Sequence, residues 1–139
     1  MPYIPLSLQR LVFQRAQDRC EYCRLSQTGQ EATFHIDHVH PVASGGLTTD
    51  DNLALACVSC SLRKSARELV EDPLTGNVVP IFNPRKQNWD EHFQWDGVNV
   101  SGLTAIGRAT VSALDMNRPT ILEIRREEIF FQRHPPPQN

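Results

Sequence analysis

The apolar positions Leu8, Leu11, Val12 and Ala16 recur at helical spacing behind Ser7, which is placed to cap a helix. The pattern predicts a helix to about Arg19, delivering Cys20 at its end. Residues 27–30, with Gly29, predict a loop, and residues 33–39, rich in β-branched and aromatic side chains, predict a strand. Pro41 and the Gly45-Gly46 pair end that strand, and a loop follows to about Asp51. Asn52 opens a short apolar run to Ala56 that leads into Cys57-Val-Ser-Cys60. Residues 61 to about 70 then predict a helix, stopped by Pro73 and Gly76.

The second half predicts a short strand over 78–82 and a connector over 84–89. A hairpin follows, its arms 91–95 and 98–100 bracketing the turn signal Asp96-Gly97. Ile106, Ala109, Val111, Ala113 and Leu114 mark a helix over 104–116, and Pro119 stands near the start of another over 120–131. The aromatics Trp89, Phe93 and Trp95 belong to the core of this half, and docking a protein partner is the less favoured use of them.

Composition changes the picture in two ways. A chain of 139 residues with 40% hydrophobic and 22% charged residues fits one folded domain over 1–139 and excludes a disordered chain. A net charge of -2, from 14 Lys and Arg against 16 Asp and Glu, excludes bulk coating of nucleic acid, so any DNA contact must use a local basic surface. No stretch approaches the roughly 20 apolar residues of a membrane span. The N-terminal residues carry no basic region followed by an apolar run. The expectation is a cytoplasmic protein without a membrane partner, its cysteines reduced and its Pro-rich tail frayed.

Cysteines sit in two pairs, C-E-Y-C and C-V-S-C, with 33 residues between Cys23 and Cys57. Each C-x2-C turn holds two thiolates on one side of a tight loop. Two such turns, Cys20 with Cys23 and Cys57 with Cys60, supply the four soft ligands of a closed tetrahedral zinc site. Such a site leaves no open coordination position, so Zn2+ there stabilises the fold rather than catalysing. Two unrelated pairs, or a redox dithiol, are the competing readings.

Between the pairs lies F-H-I-D-H-V-H-P, three histidines and one aspartate within six residues. A neutral imidazole is a general base near pH 7, and a carboxylate is a hard ligand for magnesium or manganese. Together they can activate water against a phosphodiester. One geometric objection stands: on a regular strand Asp37 and His38 point to opposite faces, so the strand must end, twist or bulge there.

The order C-x2-C, H-I-D-H-V-H-P-V-A-S-G-G, then D-N-L-A-L-A-C-V-S-C-S-L-R-K-S resembles the zinc-knuckle version of the HNH endonuclease family over residues 20–65. The later F-N-P-R, W-x-x-H-F-x-W and G-L-T-A-I-G-R-A-T segments are similar to the extension of a bacterial subgroup. The resemblance implies an α+β protein. Its ββα-metal (HNH, or His-Me finger) core, about 20–70, is stapled by the zinc site, and an α+β C-terminal extension covers about 76–134. It implies Asp37 as a ligand of a catalytic Mg2+ or Mn2+, His38 as the general base, and Asn52 as the residue fixing the loop that bears the base. The closing motif position, usually His or Asn, is Ser61 here. Ser61 either binds the cation directly or through water, or His35 or His40 substitutes, or the protein binds DNA and cleaves poorly. His35 shares a strand face with Asp37 and is the better-placed substitute, though the family pattern favours a structural role for it.

The implied activity is metal-dependent hydrolysis of DNA, double-stranded, leaving 5′ phosphate and 3′ hydroxyl ends. A non-catalytic zinc-stabilised DNA-binding module is the alternative. Arg63, Lys64 and Arg67, on the helix after the second knuckle, are the candidate phosphate contacts, with Lys64 at the family's usual lysine position. Arg85, Lys86 and Arg108 are further candidates, while Arg125 and Arg126, interleaved with glutamates, suggest a salt-bridged helix face.

Overall fold

A computed structural model describes residues 3–137. Gln138 and Asn139, part of the tail expected to fray, lie outside the described residues. The chain forms two compact units: one takes the residues up to Glu68 together with Asn83–Gln87, the other Leu69–Phe82 and the chain from Asn88 onward. The architecture is α+β, with small antiparallel hairpins among helices. No helix among the described residues is long and apolar enough to cross a membrane.

The first unit begins with α1 (Leu6–Arg15). Its N-cap is Pro5 rather than Ser7, whose place is inside the helix. The helix ends earlier than its apolar spacing suggests, because Gln17 and Asp18 both take positive φ angles of 56°. β1 (His35–His38) pairs antiparallel with β2 (Leu53–Ala56), bringing His35 opposite Ala56 and His38 opposite Leu53. All four β2 residues are buried, so β2 reads as a continuous apolar run rather than an alternation. α1 packs on β2, and α2 (Val58–Lys64) returns against both strands.

The turn between β1 and β2 depends on Gly46. A Cβ there would lie 1.8 Å from the His40 carbonyl oxygen, so only glycine lets the chain pass. α2 is shorter than expected. Ser65 takes φ 49° and ends it, and residues expected to continue the helix form β3 (Leu69–Glu71) of the second unit instead. Arg67 therefore lies past the helix end, not one turn along it.

In the second unit β3 pairs with β4 (Val78–Pro80). A short helix α3 (Trp89–His92) takes residues expected to start a strand, because the Asn88 side chain accepts from the Asp90 amide and caps it. β5 (Phe93–Asp96) and β6 (Asn99–Gly102) form the hairpin, its two-residue turn at Gly97-Val98 with Gly97 at φ 63°. α4 (Ala105–Ala113) is capped by Thr104, whose hydroxyl accepts from the Gly107 amide at 3.0 Å, and α5 (Pro119–Phe130) has its proline in the first turn. Phe82, Phe93, Val100, Leu114, Met116 and Ile121 build this unit's core, and Trp89 is buried against Phe93.

Candidate metal centre and active site

The sulfurs of Cys20, Cys23, Cys57 and Cys60 all lie within 4.8 Å of one another, and all four residues are buried. Cys23 Sγ and Cys57 Sγ are 3.7 Å apart. Tetrahedral coordination at about 2.3 Å places sulfurs about 3.8 Å apart, which the Cys23–Cys57 pair matches. The Cys23 amide donates to Cys20 Sγ and the Cys60 amide to Cys57 Sγ, both at 3.4 Å, which preorganises each knuckle. Neighbouring sulfurs, Cys20 and Cys23 first, and burial hold the Cys57 and Cys60 thiols above their ordinary range. A dication that neutralises the set reverses that cost.

The two residues inside the first knuckle tie it to the strands. The Glu21 amide donates to the Leu55 carbonyl, and the Leu55 amide returns a bond to Glu21 Oε2, each at 2.8 Å. Tyr22, fully buried, donates its hydroxyl to Asp37 Oδ2 at 2.8 Å. The cysteine frame thus positions β2 through Glu21 and Asp37 of β1 through Tyr22. Nothing in the sequence pointed to Tyr22, because the contact spans fifteen positions and depends on the register of β1.

Asp37 faces α2. Lys64 Nζ lies 3.1 Å from Asp37 Oδ2 and 3.3 Å from Oδ1, and it also donates to the His38 carbonyl at 3.2 Å. Burial pushes the Asp37 carboxyl above its ordinary value, against the lowering effects of the Lys64 charge and the Tyr22 hydrogen bond. Lys64, expected to reach for phosphate, has a fully buried side chain. The structure gives it the role of a counter-ion to Asp37 instead.

One turn earlier on the same side of α2, Ser61 Oγ lies 2.9 Å from His35 Nδ1. Strand residues 35 and 37 therefore meet helix residues 61 and 64, as the two periodicities require. His38 is at the end of β1, with Nε2 3.0 Å from Thr48 Oγ1. Burial lowers its pKa, opposed by Asp37 and reinforced by Lys64, so the ring is neutral at pH 7. Asn52 bridges the loop ends: Oδ1 accepts from the His40 amide at 2.8 Å, and Nδ2 donates to the carbonyls of His40 at 3.1 Å and Leu47 at 2.8 Å. His40 is turned away to Glu68, 2.5 Å distant.

Among the described residues, the four cysteines are the only group of three or more His, Cys, Asp or Glu side chains gathered closely enough to hold a metal ion by themselves. As a hard oxygen donor, Asp37 would suit a cation that keeps most of its coordination sphere as water and phosphate oxygens.

The basic candidates divide. Arg63 and Arg67 are exposed; Arg63 Nε donates to Ser59 Oγ, and Arg67 Nε donates to the Arg63 carbonyl. Arg85 is drawn to Glu21, and Arg108 makes a bidentate pair with the buried Asp72 at 3.0 and 2.9 Å. Lys86 is exposed. Arg126 pairs with Glu123 at 2.6 Å as the charge alternation suggests, but Arg125 is buried and donates to the Val98 carbonyl at 2.8 Å.

No curated protein matches the chain. Residues 20–67, the segment that carries both cysteine knuckles, β1, β2 and α2, match the family model of HNH endonuclease.

Proposed function

We propose that this protein is a metal-dependent endonuclease that hydrolyses phosphodiester bonds of double-stranded DNA in the cytoplasm. The observation that carries this reading is His38: a neutral imidazole at a strand end, next in sequence to the carboxylate of Asp37 and held by Thr48. In this reading His38 takes a proton from water as the oxygen attacks phosphorus. The bond to the 3′ oxygen breaks, and that oxygen takes a proton from solvent water to become the 3′ hydroxyl. Asp37, with the His35–Ser61 pair on the same side of β1, would hold a catalytic cation, and Mg2+ or Mn2+ there would stabilise charge on the phosphate. Asn52 keeps the loop around Thr48 closed on the base through its three backbone bonds. Zn2+ in the cysteine cage holds the frame. Exposed Arg63 and Arg67 contact the DNA backbone without reading sequence.

Incubation with supercoiled plasmid tests the reading. Nicking that requires Mg2+ or Mn2+ and stops with EDTA supports it. Binding without cleavage under either metal would instead indicate a zinc-stabilised DNA-binding module.

A further inference from the structure

We infer that His35 supplies the imidazole ligand of the catalytic cation, with Ser61 acting on the ring as a positioning residue rather than binding the cation itself. The inference rests on the endonuclease reading and concerns the same site.

Asp37 is already committed. Tyr22 and Lys64 both bond its oxygens, and its side chain is only 9% exposed. One such carboxylate is a weak anchor for a dication, so a second protein ligand is needed. Ser61 offers a neutral hydroxyl, the poorer donor. His35 offers an exposed ring on the same strand face as Asp37, two residues away. Two strand steps span about 6.7 Å, a distance that side chains on one cation can bridge.

The 2.9 Å contact sets the chemistry of that ring. Metal-bound histidines donate their second ring N–H to an outer partner, which fixes the tautomer and the ring plane. With Nδ1–H donating to Ser61 Oγ, the Nε2 lone pair is left for the cation. The imidazole thus comes from β1 instead of the first turns of α2, and the serine on α2 orients it. An imidazole ligand also favours manganese over magnesium.

The test uses the full zinc-loaded chain and Mn2+ alone, which does not compete for soft thiolates. Ring-nitrogen NMR of the unaltered protein should find His35 protonated at Nδ1, with the Nε2 signal broadened by substoichiometric Mn2+. His35→Ala should weaken Mn2+ binding roughly tenfold or more, with zinc content and circular dichroism unchanged. Ser61→Ala should weaken it less, and Ser61→Thr should restore it. A ring protonated at Nε2 in the presence of Mn2+ would overturn the assignment. So would unchanged Mn2+ affinity in His35→Ala, or a larger loss in Ser61→Ala than in His35→Ala. If those results came with plasmid nicking that still depends on His38, the ligand assignment would fall and the endonuclease reading would stand.

Discussion

Lys64 Nζ lies 3.1 Å from Asp37 Oδ2, joining the last residue of α2 to β1 across a span in which the lysine side chain is fully buried. Removing one partner of a buried pair leaves an uncompensated charge, at a cost of about 3–5 kcal/mol. Lys64→Met should therefore destabilise the first unit by about 3 kcal/mol in urea unfolding. Adding Asp37→Asn should cost less than the two single changes summed, since neither charge is then stranded.

Zinc should be stoichiometric and structural. Elemental analysis should find one zinc per chain. Chelation, or Cys57→Ser, should remove hydrogen-exchange protection from β1, β2 and α2, because the cysteine cage anchors the strands through Glu21 and Tyr22. Protection in α4 and α5, which share a separate apolar core, should remain.

DNA binding should depend only weakly on salt. Each phosphate contact contributes a slope of about -0.9 in log affinity against log salt. Arg63→Ala and Arg67→Ala should each flatten the slope by about one, whereas Lys64→Met should leave it unchanged because its ammonium is buried. A slope steeper than about -5 would require a basic surface beyond these residues.

The pH dependence follows from His38. Its folded-state pKa lies below the ordinary imidazole value, first through burial. The base form therefore predominates above about pH 6.5, and nicking should level off between there and pH 8. It should fall as pH drops through the lowered pKa. Protonation also favours the unfolded chain, so the stability this ring contributes is present above about pH 6.5 and lost below it. Plasmid nicking and thermal melts from pH 5 to 8 check both signs.

The sequence made the local features legible where spacing alone determines geometry. The two C-x2-C pairs foretold the sulfur cage, and Asp96-Gly97 foretold the β5–β6 hairpin, though Asp96 pairs with Asn99 and the turn falls one residue later, at Gly97-Val98. Contacts set by packing were not legible. Lys64 looks like a surface base in sequence, and only the register of β1 against α2 turns it inward to Asp37. The early end of α2 rests on Ser65 adopting a positive φ, for which a serine gives no local signal. Arg85 and Arg108 read equally well as DNA contacts, and carboxylates 64 and 36 positions away claim them.

The most direct test is cleavage of supercoiled plasmid by His38→Ala beside the unaltered protein, with Mg2+ or Mn2+ present and zinc content and folding matched. The unaltered protein should nick the plasmid in a metal-dependent way, and the variant should not. Full activity in the variant would contradict the role of His38 as the base.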